Sequence, residues 1–318
     1  METISKKRHL KLCGALLAAF SLASAAHAQS SCQTVRFSNV GWTDISATTA
    51  STGVVLKGLG YKTTTQMLSV PVTYRSLANK DIDVFLGNWM PSMAGDIAKY
   101  KKNGTVDTVR ANLTGAKYTL AVPQYVYDAG VHSFSDLKKY ASKFHRRIYG
   151  IEPGNDGNRL IQSMIKKNAF GLKKFDLIES SEAGMLSQLK RAIRRKQWIV
   201  FLGWEPHPMN TNFKIQYLSG GDDFFGPNFG GAKVYTNVSH GYVKRCPNVG
   251  KLLTNLQFSL SMENQIMDSI MNKGQKPTQA AQAWLKAHPD VLNGWLKGVK
   301  TIDGKPGLPA VKASLGLQ

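Results

Sequence analysis

From residue 34 onward, short β-branched and aromatic runs alternate with amphipathic stretches of about ten to fifteen residues. A period near two that keeps giving way to one near 3.6 predicts strands separated by helices, an α/β chain whose mostly parallel sheet is covered by helices. Strands are expected over 35–40, 62–68, 82–87, 118–122, 147–151, 176–179, 199–203 and 241–244. Helices are expected between them over 45–58, 71–78, 91–101, 134–141, 157–169 and 182–196. From Pro247 the pattern turns helical, with segments over 252–259, 263–271, 278–287 and 291–297 that read as a C-terminal cap. Breaks at 114–117 and at Gly220-Gly221 predict one lobe built from 29–116 plus 222–318 and a second from 117–221, with two crossovers forming a hinge.

The first residues follow a different rule. Lys6, Lys7, Arg8 and Lys11 precede an apolar run over 12–26 and the small-x-small triplet Ala26-His27-Ala28, which predicts a cleavable secretory signal over 1–28 and export to the periplasm. That run is too short for a stable membrane span, and no later stretch approaches the roughly 18 to 20 apolar residues one requires. Cleavage removes Cys13 and leaves Cys32 and Cys246 in an oxidising compartment, where they are expected to be joined. Lys11 and Leu12 ahead of Cys13 do not form a lipid-anchoring site.

Charge adds a second constraint. Lysine and arginine number 41 against 20 acidic residues, a formal net charge of +21 that invites a nucleic-acid reading. The cations are scattered in pairs such as Lys101-Lys102 and Lys173-Lys174, with one denser run over 190–196, and read as solvated helix faces. Export argues further against nucleic acid. The chain has no Gly-x-Ser-x-Gly elbow, Walker loop, dinucleotide fingerprint or His-Glu-x-x-His helix, so neither an enzyme nor a cofactor is expected. Glu205 and His207, interrupted by prolines, read as structuring a turn and not as metal ligands.

Candidate chemistry gathers on aromatic residues. Trp42 follows the strand ending Val40-Gly41, Trp89 follows Val84-Phe85-Leu86-Gly87-Asn88, and Trp204 follows Val200-Phe201-Leu202-Gly203. Each is expected just beyond the carboxyl end of a central strand, where ligands of open α/β sheets bind. Tyr118, at the start of the second lobe, is a candidate fourth wall. Ring faces attract cations, and a trimethylammonium head, with no N–H to donate, suits rings better than carbonyls. Asp44, two residues after Trp42, and Asn155, in the turn before a helix, are polar candidates that could equally serve as helix caps.

The most specific segments are Gly41-Trp42-Thr43-Asp44, Asp83-Val84-Phe85-Leu86-Gly87-Asn88-Trp89-Met90-Pro91, Glu152-Pro153-Gly154-Asn155-Asp156 and Gly203-Trp204-Glu205-Pro206-His207. With these the chain resembles the substrate-binding proteins of choline and glycine betaine ABC importers, most closely the choline branch, over nearly all of its mature length. The resemblance implies a type II periplasmic-binding-protein fold, two α/β lobes closing about a hinge. It implies an aromatic box of Trp42, Trp89, Tyr118 and Trp204, Asp44 and Asn155 at the choline hydroxyl, and a Cys32–Cys246 bridge. It further implies a monomer that hands its ligand to an ABC permease. Glycine betaine, proline betaine and acetylcholine are alternative ligands, and a membrane sensor is an alternative recipient.

Overall fold

The computed structural model describes residues 32–317; the expected signal over 1–28 lies outside them. Nine strands form one mixed sheet: β1 (Thr34–Asn39), β2 (Lys62–Met67), β3 (Val84–Met90), β4 (Val106–Pro123), β5 (Arg147–Tyr149), β6 (Asp176–Ile178), β7 (Phe201–Glu205), β8 (Ile215–Tyr217) and β9 (Gly231–Ser239). Their order is β2-β1-β3-β9-β4-β7-β5-β6, with β8 also on β4. β1 pairs in parallel with β2 and β3, and β5 with β6 and β7. The connection between these two parallel groups is antiparallel, through β3–β9, β9–β4 and β4–β7, so the sheet is less parallel than the sequence pattern predicts.

β4 is what joins the two groups. Residues 106–117 pair with β9, and 117–121 pair with β7, so the strand changes partner at Lys117 while remaining continuous. The expectation of a strand over 118–122 caught only its far end. The strand expected over 241–244 is corrected: Tyr242–Arg245 is a short helical turn, and the strand lies just before it at Gly231–Ser239.

The longer helices are α1 (Thr43–Gly58), α2 (Val70–Asn79), α3 (Ala94–Lys102), α4 (Asp156–Lys166), α5 (Glu182–Arg194), α6 (Pro247–Asn255), α7 (Leu260–Met271), α8 (Pro277–Ala287) and α9 (Gly307–Ser314). In α4 and α5 the buried residues Ile161, Met164, Met185, Leu189 and Ala192 recur at helical spacing, which is what fixes each against the sheet. Asn155 and Ser181 cap them, their side-chain oxygens accepting from the backbone N–H of Asn158 and Gly184. The C-terminal helices α7, α8 and α9 all contact α1. Cys32 and Cys246 are bonded, with Cα atoms 5.6 Å apart, tying the approach to β1 to the start of α6. Among the described residues no helix is long and apolar enough to cross a membrane.

Candidate functional site

A small, tightly closed cavity lies between the two parallel groups, lined by Trp42, Asp44, Trp89, Tyr118, Ile151, Asp156 and Trp204. Three elements bring Trp42, Trp89 and Trp204 there, but not as the strand-end pattern predicts. Trp42 is the residue on which α1 begins, and Trp89 and Trp204 are the penultimate residues of β3 and β7, inside the strands. Each strand is followed by a proline, Pro91 or Pro206, across a cis bond. Tyr118 stands opposite Trp204 in the β4–β7 pairing. Its ring centroid is 5.9 Å from that of Trp89 and 6.4 Å from that of Trp204, and Phe225 supports it from behind at 5.8 Å, edge to face.

Two carboxylates face the rings from opposite sides. Asp44, in the first turn of α1, is 1% exposed; its Oδ2 accepts the Trp89 indole N–H at 3.2 Å and its Oδ1 has no hydrogen-bond partner. Burial pushes its pKa up to about 7, and the negative charge of Glu182 adds to the rise. Asp156, the first residue of α4, is fully buried, and its Oδ2 is also without a partner. Burial holds its pKa at about 6, with the Ser92 hydroxyl working against the rise and the charge of Asp96 reinforcing it.

Asn155 is not among the lining residues. Its Oδ1 accepts from the Tyr118 hydroxyl at 2.9 Å and from the Asn158 backbone N–H at 3.0 Å, while its Nδ2 donates to Asp156 Oδ1 at 3.1 Å. It therefore caps α4 and holds two wall residues in place, and the side chain that reaches the cavity from this turn is Asp156.

Polar contacts outside the cavity join its two sides. Glu182 accepts from the Thr43 backbone N–H at 2.8 Å and from the Thr43 hydroxyl at 2.6 Å. His207, buried beside the Trp204 ring, accepts the Met209 backbone N–H at Nδ1, so its hydrogen sits on Nε2 and is donated to Glu182 Oε1 at 3.0 Å. On the other flank Arg159 of α4 donates to the Ser92 carbonyl at 2.8 Å and forms an ion pair with Asp96 at 2.6 Å. The Glu205-Pro206-His207 turn thus has a role beyond shape, through His207.

Sequence reasoning missed Ile151, Asp156, Glu182 and Arg159. Asp156 lay within a segment already singled out; Glu182 and Arg159 carried no local signal. Chemically, a box of electron-rich faces with two carboxylates and no cationic lining residue attracts positive charge more than negative.

Comparison with known proteins agrees with this geometry. Residues 33–287 match the family model described as the substrate-binding domain of the ABC-type glycine betaine transport system. An ABC-transporter choline-binding protein solved in complex with choline is 60% identical, with a TM-score of 0.89 over 90% of this chain and 99% of that one. A structure of an ABC-transporter choline-binding protein in an unliganded, semi-closed conformation is 61% identical, with a TM-score of 0.83 over 90% of this chain and all of that one. The glycine betaine/carnitine transport binding protein of Listeria monocytogenes is 30% identical over 170 residues, 53% of this chain and 55% of that protein. These likenesses establish the periplasmic-binding-protein fold and a place among transport proteins, not enzymes. The chain belongs to the family of extracytoplasmic substrate-binding domains of ABC-type glycine betaine transport systems.

Proposed function

We propose that this protein captures choline in the cavity between its lobes and delivers it to an ABC permease. The observation that carries the reading is the pairing of four ring walls with Asp44 and Asp156, which each have one carboxylate oxygen without a partner among the described residues. The trimethylammonium head fits against Trp42, Trp89, Tyr118 and Trp204, and the hydroxyl donates to Asp44, with Asn155 holding Tyr118 and Asp156 in position. Four rings at roughly 0.5 to 2 kcal/mol each supply about 2 to 8 kcal/mol, and micromolar affinity requires about 8. Apolar burial and the carboxylates supply the remainder.

The lobes are 29–116 with 222–318 and 117–221, and β4, which changes partner at Lys117, is one strand of the hinge. The protein acts as a monomer in the periplasm after loss of residues 1–28. The family's description favours glycine betaine as a second reading. No lining residue is cationic, so nothing in the cavity would pair with the betaine carboxylate. Calorimetry with both ligands on protein freed of endogenous ligand decides between them. Binding of choline supports the proposal; no binding of choline with tight binding of glycine betaine refutes it.

A further inference from the structure

The second parallel group has a pronounced charge asymmetry. β5, β6 and β7 all point their carboxyl ends at the cavity, and α4 and α5 start there and run away from it. Strand entries and helix ends therefore meet at the opposite pole. α4 alone spans about 16 Å from Asp156 to Lys166. The entry to β5 carries Lys138, Lys139, Lys143, Arg146 and Arg147, all exposed. Lys173 and Lys174 enter β6. Lys166 and Lys167 close α4, and Arg191, Arg194, Arg195 and Lys196 close α5, again all exposed.

Among the described residues none of these thirteen cations is in an ion pair. The acids at this pole are Asp128, Asp136 and Asp176, with Asp222 and Asp223 exposed on the turn whose Phe224 ring lies 5.8 Å from Lys167, and Asp136 is occupied by the backbone N–H groups of His132 and Ser133. Helix dipoles account for cations at the ends of α4 and α5. They do not account for Lys143, Arg146, Arg147, Lys173 and Lys174, which precede strands. The carboxylates Glu152, Asp156, Glu179 and Glu182 sit at the other end, so a strongly cationic protein keeps its capture end anionic.

We infer that this pole is a docking surface for an anionic phospholipid membrane. The rings nearby are covered by the cations themselves: Lys143 lies 4.4 Å from the Trp198 centroid, Lys196 4.9 Å from Tyr125 and Lys139 5.1 Å from Tyr140. None of these rings is among the exposed large hydrophobics, which are Met67, Val72 and Phe229. The pole thus offers no stacking platform of the kind single-stranded nucleic acid uses, and no apolar wedge for insertion. What it offers is a broad array of exposed cations, which suits the diffuse negative charge of a headgroup layer. The inference does not depend on which ligand the cavity holds.

The test is co-sedimentation of the whole mature protein with vesicles of phosphatidylcholine alone or mixed equally with phosphatidylglycerol. The expected result is at least tenfold stronger partition onto the anionic vesicles at about 0.01 M salt, lost at about 1 M, where the screening length falls to about 3 Å. Arg146→Gln/Arg147→Gln/Lys173→Gln/Lys174→Gln should reduce that partition at least fivefold while thermal melts of variant and wild type by circular dichroism coincide. Equal partition onto both vesicle types, or an unaffected variant, overturns the inference. Tighter binding to an oligonucleotide than to anionic vesicles at equal phosphate concentration also overturns it, since the pole would then be reading polyanions of another kind.

Discussion

Thr43, at the start of α1, and Glu182, at the start of α5, are joined by two hydrogen bonds across 139 residues, one from the backbone N–H at 2.8 Å and one from the hydroxyl at 2.6 Å. Thr43 lies between Trp42 and Asp44, and Glu182 is held from behind by His207, three residues past Trp204. The segments that supply walls from opposite sides of the cavity are therefore linked through one carboxylate. Hydrogen bonds to charged groups are each worth about 1.5 to 3 kcal/mol net, and roughly 1.4 kcal/mol is a factor of ten. Thr43→Val, which keeps the N–H, should raise the choline dissociation rate about tenfold. Glu182→Gln should do the same or more, with association little changed. Stopped-flow tryptophan fluorescence measures both rates. Normal dissociation in both variants would reduce the contact to packing.

The ring walls predict a larger loss. Trp204→Ala removes one wall of the cavity, the ring beside His207, and should weaken choline binding at least 30-fold, the equivalent of about 2 kcal/mol from one desolvated cation–π contact. Circular dichroism must show the fold intact, because truncating a buried tryptophan costs about 3 to 5 kcal/mol of stability. Trp204→Phe, which keeps a ring, should recover part of the affinity. A folded Trp204→Ala protein with affinity within threefold of wild type would remove Trp204 from the box.

The raised carboxylates set a pH dependence with a definite sign. Without ligand, Asp44 holds its proton up to about pH 7 and Asp156 up to about 6, whereas in the unfolded chain both titrate near 3.9. Between these values the native state binds more protons at these two sites, so their contribution to the stability of ligand-free protein is fullest below about pH 4 and is lost as pH rises to about 7. A cation in the box favours the ionised forms, so choline affinity should increase from pH 5 to 8 and then level off. Asp44→Asn should flatten the upper part of that rise. Calorimetry in buffers of different ionisation heat would detect the released protons. A pH-independent affinity over this range contradicts the role given to both groups.

The order of elements through β7 was legible because Val35 and Phe37 alternate in β1, Val84-Phe85-Leu86 form an apolar run in β3, and Ile161 with Met164 and Met185 with Leu189 and Ala192 recur at helical spacing in α4 and α5. β9 was not, because Thr236, Asn237 and Ser239 are buried there without being apolar, which hides the alternation. The first half of β4 was hidden for the same reason at Asn112, whose amide is satisfied by the Leu86 carbonyl and the Thr236 hydroxyl. The repeated strand-and-tryptophan pattern picked out Trp42, Trp89 and Trp204, which line the cavity, although Trp89 and Trp204 lie inside their strands and Trp42 begins a helix. Asp156 was not separable from Asn155, since two adjacent polar residues before a helix look alike as caps until their partners are known. Glu182 acquires its role only from a residue 139 positions away, and no local pattern encodes that.

Choline and glycine betaine share a head and differ at the tail, so the rings treat them alike and the carboxylates must discriminate. Ionised Asp44 accepts a hydroxyl hydrogen. Facing a carboxylate in a dry cavity it is half of a like-charge pair, a repulsion of several kcal/mol, or roughly 100-fold at about 3 kcal/mol. Choline should therefore bind the more tightly at pH 8. Because Asp44 titrates near 7 and Asp156 near 6, lowering the pH adds a proton where the betaine tail would meet a charge. The two ligands should then respond in opposite directions: choline weakens from pH 8 to 5.5 while betaine, whose own carboxylate stays ionised, strengthens or holds constant. Asp44→Asn should shrink the gap at pH 8 from both sides, as choline loses its acceptor and betaine its repulsion. Parallel titrations of wild type and Asp44→Asn at both pH values provide the measurement. Parallel pH curves for the two ligands, or a gap that Asp44→Asn leaves unchanged, would mean that Asp44 does not face the tail and serves only to anchor Trp89 through its indole N–H.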